Sequence, residues 1–211
     1  RRQRQMCIRD RHPYPAALED TIAAYHWLLE QGYPAEKIVV AGDSAGGGLA
    51  LALCLWLKNH KEPLPSGVIA MSPWTDLTIS GESVETNFEK DPLFGKTRDS
   101  MLYNKDYLGD NDPTNEYISP LFGDYEGFPP LLIQVGSYEM LLSDSTRVAK
   151  KAKEAGGKVK LSIYEGMFHV FQMAMLLMPE SKKAWAEIKR FLHYLDTEEN
   201  EMQNISKEEK A

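Results

Sequence analysis

One short stretch of this chain, residues 39–48, constrains the fold more than any other. A β-branched run leads into the pentapeptide Gly42-Asp43-Ser44-Ala45-Gly46, and small and apolar residues typical of a helix follow at once. A serine on a sharp strand-to-helix turn needs this pattern, because glycine leaves room that a Cβ would fill. The sequence therefore predicts an exposed Ser44 hydroxyl at a nucleophile elbow, beside the Ala45 N–H at the positive end of the next helix.

The composition bounds the class of protein. With 211 residues, of which 43% are hydrophobic, the chain can bury one substantial core, so we expect one main domain over residues 12–196. A net charge of −7 argues against a nucleic-acid partner. No apolar run reaches the length of a membrane span, and two cysteines give no disulfide framework. We expect a cytoplasmic protein.

Both ends of the chain differ from its middle. Residues 1–11 contain five arginines without periodicity, and their last six read like the translation of a sequencing adapter. We expect this segment to be non-native or disordered and to contribute nothing to the fold. The strongly charged residues 197–211 are expected to form a disordered tail.

Predicted strands alternate with predicted helices along residues 12–196. The strands are expected at 37–41, 67–71, 131–135 and 158–164, and the main helices at 16–31, 45–58, 143–155 and 181–195. This alternation predicts an α/β fold with a mostly parallel sheet and helices on both faces. Residues 72–130 are irregular apart from a helical stretch at 96–108, and a Met-rich helix is expected at 170–177. In such sheets the chemistry lies beyond the carboxyl ends of the strands.

A serine nucleophile needs a base and an acid that orients the base. In this fold the acid follows the serine along the chain, and the histidine base follows the acid. His169 is the histidine that lies in a loop after the last predicted strand, so it is the expected base. The other histidines precede the serine or lie on predicted helices: His12, His26, His60 and His193.

Three carboxylates compete for the role of the acid. Glu139 lies in the loop after the third strand, Asp144 begins the next helix, and Asp76 follows the second strand. We favour Glu139, then Asp144, then Asp76. Asp43, beside the nucleophile, is expected to donate or accept supporting hydrogen bonds rather than to react.

The sequence as a whole resembles the hormone-sensitive-lipase-like carboxylesterases of the α/β-hydrolase fold. The resemblance rests on five stretches: HPYPAALED (12–20), VVAGDSAGGGLAL (39–51), SPWTDLTISGES (72–83), PPLLIQVGSYEMLLSDS (129–145) and YEGMFHVFQ (164–172). Most of the family carries its acid in an Asp-Pro-Leu triplet, and Glu139-Met140-Leu141 occupies that place, thirty positions before His169. The resemblance therefore implies a Ser44–Glu139–His169 triad with glutamate as the acid.

The resemblance also implies parts that the 211 residues do not contain. The family places a His-Gly-Gly-Gly loop, which supplies oxyanion-hole N–H groups, upstream of the HPYPAALED stretch, and no such motif occurs here. We therefore expect that the N-terminal strands and cap are missing and that the Ala45 N–H is the remaining evident donor. Losing one oxyanion donor costs about 10²–10³-fold in rate.

The function implied by the resemblance is hydrolysis of small, short-chain esters through an acyl-enzyme, with neither metal nor organic cofactor. Alternatives are a lactone or an amide or N-acetyl substrate on the same triad, or an inert fragment. Six apolar residues are candidates either to line an apolar pocket or to pack in the core: Phe88, Leu93, Phe94, Met167, Phe168 and Met173. A homodimer through apolar surface near the C-terminal helices is a further expectation.

Overall fold

A parallel sheet lies at the centre of the fold. The computed structural model describes residues 12–95 and 105–208. Within them, the strands β1 (Val39–Asp43), β2 (Gly67–Met71), β3 (Leu131–Gly136) and β4 (Val159–Tyr164) pair in sequence order, all parallel. The predicted α/β class is confirmed. Because every strand runs the same way, the segments after β1, β2, β3 and β4 all leave from one edge.

Helices connect and cover these strands. They are α1 (Ala16–Glu30), α2 (Ala45–Asn59), α3 (Ser83–Thr86), α4 (Lys105–Leu108) and α5 (Leu142–Glu154), with 3-10 turns at Ala35–Lys37 and Pro120–Phe122. The helix expected at 96–108 lies partly outside the described residues, and so does the whole of residues 1–11.

The core explains why α2 carries no polar face. Leu51 and Leu55 of α2 are fully buried with Val68 of β2, Ile133 of β3 and Val148 of α5 in one apolar cluster. Burying a Leu side chain contributes about 1.5–3 kcal/mol, so a helix apolar all round is stable only in such a position.

The chain divides into two compact units, and the second begins at Phe171. It contains a 3-10 stretch, Phe171–Leu177, interrupted where Met175 adopts φ +47°, and the helix α6 (Pro179–Glu208). Inside this unit the Gln172 carbonyl accepts hydrogen bonds from Ser181 Oγ (2.8 Å) and Trp185 Nε1 (2.9 Å). The Met-rich helix expected at 170–177 is therefore a broken 3-10 segment.

The helix α6 does not end at Leu195 but continues to Glu208, and it thus includes most of the charged residues for which a disordered tail is expected. Residues 196–208 contain four Glu and one Lys but neither Gly nor Pro. Glu and Lys are good helix formers, so a charged run of this kind extends a helix that has already begun.

Candidate active site

Ser44 lies at the sharp turn between β1 and α2. Its backbone has φ +53° and ψ −123°, a conformation that non-glycine residues adopt only when the surrounding structure imposes it. Its N–H donates to the Met71 carbonyl (2.9 Å), and its own carbonyl accepts from the N–H groups of Trp74 (2.9 Å) and Gly48 (3.1 Å). These bonds hold the strained turn, and the residue remains partly exposed.

The two glycines of the pentapeptide have different roles. A Cβ on Gly42 would lie 2.2 Å from the Gly46 carbonyl oxygen, so a side chain at that position cannot fit without moving the backbone. A Cβ on Gly46 would meet nothing within 4 Å. The expectation that both glycines provide space is therefore wrong for Gly46, because the close approach is made by the Gly46 backbone to Gly42.

Glu139 and His169 form a buried pair beyond β3 and β4. Glu139 Oε2 lies 3.0 Å from His169 Nδ1, and the two side chains are 0% and 6% exposed. The other oxygen, Oε1, accepts the Gly136 N–H at 2.5 Å. The Phe94 ring packs edge-on against the imidazole, with ring centroids 4.5 Å apart. The imidazole is thus fixed from two sides.

The backbone brings the two loops of this pair together. A Cβ on Gly136 would lie 2.2 Å from the Met167 carbonyl oxygen, so the loop that carries His169 sits directly over the end of β3. The Tyr138 N–H donates to the same carbonyl at 3.1 Å. Glycine at position 136 therefore permits the approach of His169 to Glu139.

The elbow and the pair lie on either side of the segment after β2. The backbone N–H of Trp74 donates to the Ser44 carbonyl. The Ser72 hydroxyl contacts both the Glu139 carboxylate and the backbone N–H of Val170, the residue after His169. Within the described residues, no hydrogen bond joins the Ser44 hydroxyl to His169. Such contacts are often long in a site without substrate.

Asp144 and Asp76 do not contact His169. Asp144 Oδ2 accepts the backbone N–H groups of Thr75 (2.7 Å) and Asp76 (2.9 Å), and Arg147 Nη2 lies 3.4 Å from Oδ1. Burial raises the pKa of Asp144 to about 7. The geometry therefore makes Asp144 an anchor for residues 75–76.

Asp76 binds its own loop. Its carboxylate accepts from Thr78, from Ser80 and from Arg147 Nη2 at 2.9 Å. Burial acts to raise its pKa, but these hydrogen bonds outweigh burial and leave the pKa below its usual value.

The remaining candidates are placed elsewhere. The Asp43 side chain is exposed and makes no hydrogen bond within the described part of the chain, so the supporting role expected for it is not seen. His26 Nε2 lies 2.5 Å from Glu62, and His60 Nδ1 lies 2.8 Å from the Trp56 carbonyl. Each of these two histidines thus has a hydrogen-bond partner other than Ser44.

A cavity of about 690 Å³ opens beside the elbow. It is lined by Ala45, by three aromatic side chains (Trp74, Tyr107 and Tyr117), and by His12, Ala16, Ala17, Asp20, Gly46, Gly48, Leu49, Leu77 and Ile118. None of the six apolar candidates from the sequence lines it, although one of them, Phe94, packs on His169. Trp74 and Tyr117 lie in irregular parts of residues 72–130, and Tyr107 lies in the short helix α4 between them. The sequence signal for a site there is the length of this region.

Two classes of feature are absent from residues 12–95 and 105–208. No helix there combines the length and apolar character that crossing a membrane requires. No group of three or more His, Cys, Asp or Glu residues there is arranged to hold a metal ion.

Known proteins share the fold and much of the sequence of this chain. A family model described as the alpha/beta hydrolase fold matches residues 11–173. An esterase of Acinetobacter venetianus is 45% identical over 186 residues, covering 88% of this chain and 61% of that protein. An acetyl-hydrolase of Streptomyces hygroscopicus is 42% identical over 172 residues, covering 82% of this chain and 57% of that protein.

A solved structure of an esterase from the bacterial hormone-sensitive lipase family superposes with a TM-score of 0.83 at 43% identity. The match covers 88% of this chain and 62% of that one. The chain therefore belongs to the α/β-hydrolase fold family. It is similar to an esterase of the bacterial hormone-sensitive lipase family, as its sequence motifs indicate. It spans about 60% of the length of the relatives it matches.

Proposed function

We propose that this chain carries the triad of a serine carboxylesterase that hydrolyses small, short-chain esters through an acyl-enzyme. The observation that supports it most directly is the buried contact between Glu139 Oε2 and His169 Nδ1 at 3.0 Å. The pair lies at the same edge of the sheet as the strained Ser44 turn. Serine, acid and histidine follow three parallel strands in the order that this fold uses.

The mechanism follows from the donors around the pair. Glu139 Oε1 already accepts the Gly136 N–H, and an ionised Oε2 can only accept, so Nδ1 is the donor to Oε2. The neutral imidazole then has an unprotonated Nε2, which takes the Ser44 proton as the hydroxyl attacks the ester carbonyl. Glu139 stabilises the resulting imidazolium, and the same nitrogen returns the proton to the departing alcohol.

Water completes the cycle by the reverse relay. Nε2 takes a proton from water, the hydroxide oxygen bonds to the acyl carbon, and the bond to Ser44 Oγ breaks with return of the proton to the serine. The carbonyl oxygen becomes an oxyanion in both halves of the reaction. The Ala45 N–H begins α2 and has no acceptor within the helix, so it is available to that oxyanion.

The cavity beside Ala45 is the proposed place for the ester. Its volume of about 690 Å³ lies in the range of small-molecule sites, and Trp74, Tyr107 and Tyr117 provide apolar walls. Among the described residues that line it, Asp20 is the one carboxylate and none is a lysine or an arginine, so the described wall offers no cation to an anionic substrate. A homodimer through apolar surface near the C-terminal helices remains a prediction.

The test is hydrolysis of p-nitrophenyl butyrate by the purified chain, compared with Ser44→Ala and with Ser145→Ala. Ser145 is fully buried on α5, and its hydroxyl has no partner among the described residues, so its removal controls for loss of a serine hydroxyl. We expect Ser44→Ala to abolish turnover and Ser145→Ala to retain it. Equal turnover in the wild type and Ser44→Ala would refute the proposal.

Labelling with a fluorophosphonate separates a missing nucleophile from a slow reaction. This reagent bonds covalently to an activated serine, so mass spectrometry detects an active Ser44 even where ester turnover is weak. We expect one label on the wild type and none on Ser44→Ala. A folded wild-type chain that neither turns over ester nor accepts the label is the inert alternative.

A second candidate is removal of an acetyl group from an amine or an alcohol by the same triad. It is favoured by the 42% identity to a protein named acetyl-hydrolase. p-Nitrophenyl acetate and p-nitroacetanilide differ only in the bond that is cleaved, and the matching lactone test uses γ-butyrolactone. Faster cleavage of the anilide or the lactone than of the ester would replace the proposed substrate class.

A further inference from the structure

Ser72 is a fully buried serine directly after β2, between the elbow and the pair. Its hydroxyl donates to Glu139 Oε1 at 2.7 Å and accepts the Val170 N–H at 3.1 Å. Val170 is the residue after His169. One hydroxyl therefore contacts both the carboxylate and the backbone of the histidine loop.

The direction of these two bonds is fixed by proton counting. A backbone N–H can only donate, so the bond with Val170 uses a lone pair of the Ser72 oxygen. The single hydroxyl proton is then free for Glu139, and Oε1 accepts it together with the Gly136 N–H. With two donors on Oε1, the carboxyl group cannot rotate without breaking both bonds, and Oε2 stays directed at Nδ1 of His169.

The backbone at both ends of this hydroxyl bridge is strained. Ser72 has φ +48° and Val170 has φ +53°, in the left-handed region that is costly for residues with a Cβ and most of all for β-branched ones. The Ser72 N–H is held by the Gln134 carbonyl at 2.7 Å. The structure thus maintains two unfavourable residues in the positions that this hydroxyl requires.

We propose that Ser72 is a positioning residue that holds Glu139 and the His169 loop in register for proton transfer; this inference rests on the proposed function. Ser72 does not touch the substrate. It acts on the tautomer of His169, because a carboxylate held in place keeps the proton on Nδ1 and leaves Nε2 free. A rotated carboxylate would let the neutral ring populate both tautomers.

Two variants that both remove the hydroxyl separate positioning from stability. Ser72→Ala keeps a Cβ at φ +48°, whereas Ser72→Gly removes the Cβ and relieves the left-handed backbone. The glycine variant is thus expected to be the more stable of the two in urea unfolding. If the hydroxyl positions Glu139, both variants lose the same factor in kcat, roughly tenfold to hundredfold, with KM little changed.

The matched control is Ser145→Ala, which removes a fully buried hydroxyl that has no partner among the described residues. It is expected to leave kcat unchanged. A kcat that is restored in Ser72→Gly, or that follows the stability of the variants, would overturn the proposal and leave Ser72 with a purely structural role.

A second measurement does not depend on turnover. In ¹⁵N-histidine NMR of the whole chain, with His169→Gln used to assign the signal, we expect neutral His169 to be protonated at Nδ1 in the wild type. Both Ser72 variants are expected to show a mixture of the two tautomers. An unchanged tautomer in both variants refutes the positioning role even if the chain has no esterase activity, so the two proposals fail separately.

Discussion

Asp144 provides a stability measurement whose sign follows from its surroundings. Burial raises its pKa from 3.8 to about 7, and the negative charge of Asp76 adds to that increase. The N–H groups of Thr75 and Asp76 and the charge of Arg147 act in the opposite direction but are outweighed. Asp144 is therefore a neutral acid in the folded chain over much of the range in which it is ionised in the unfolded chain.

The pH dependence follows from linkage. Between about pH 4 and pH 7 the folded state binds one more proton than the unfolded state at this residue, so acid favours folding there. The contribution is fully present below about pH 4, falls by about 1.4 kcal/mol per pH unit, and is lost above about pH 7. A difference of about three in pKa corresponds to roughly 4 kcal/mol between these limits.

The perturbation is Asp144→Asn, because a carboxamide resembles the neutral acid and its oxygen can accept the N–H groups of Thr75 and Asp76. At pH 4 the variant and the wild type are expected to have similar free energies of unfolding. At pH 8 the variant is expected to be more stable by up to about 4 kcal/mol. Asp76 loses its own contribution as pH falls, but it does so in both proteins and cancels in the difference.

The assay is urea unfolding of both proteins at unit steps from pH 4 to pH 8, with equal m-values required for comparison. Asp106→Asn removes the same charge from an exposed position and controls for net charge. A variant that is less stable than the wild type by about 2 kcal/mol at pH 8 would show an ionised Asp144 held by its N–H donors. That result would refute the reasoning from burial.

Two further predictions concern residues close to the candidate site. Gly42→Ala is expected to lower the free energy of unfolding by about 1–3 kcal/mol, because its Cβ meets the Gly46 carbonyl oxygen at 2.2 Å, whereas Gly46→Ala meets nothing and should raise it by about 0.5–1 kcal/mol. Equal effects in thermal unfolding would contradict this steric account. Phe94→Leu removes the aromatic edge contact with His169 and is expected to lower kcat/KM for p-nitrophenyl butyrate about two- to tenfold. An unchanged kcat/KM would show that the ring does not position the imidazole.

The strands could be predicted from local pattern because buried parallel strands are short apolar runs. The bounds predicted for the second strand, 67–71, agree with the structure, whereas β1 begins and ends two residues later than predicted. The pairing of Asp43 with Met71 extends β1 up to the nucleophile, which hydropathy cannot reveal because Asp43 is polar. Register with a neighbouring strand decided that boundary.

The cavity could not be predicted in the same way. Trp74, Tyr107 and Tyr117 are widely separated in an irregular region, and neither helical nor strand periodicity relates them. The order of serine, acid and histidine was sufficient to select His169, because the connectivity of this fold imposes it. The supporting residues follow from no such rule, so the motif at 72–83 does not by itself distinguish Ser72 from its neighbours.

Their spacing in the sequence does not decide whether Glu139 or Asp144 is the acid. The hydrogen-bond donors around each carboxylate do distinguish the two. Both are buried carboxylates after β3, and both bind the segment that follows β2. Two backbone N–H groups converge on Oδ2 of Asp144 and Arg147 lies near Oδ1, so neither oxygen faces an imidazole. The two donors to the Glu139 carboxylate other than His169 converge on Oε1, which leaves Oε2 for the imidazole. The proposed acid is thus the carboxylate whose neighbours leave one oxygen for the histidine, and that distribution of donors arises only when β2, β3 and β4 are assembled side by side.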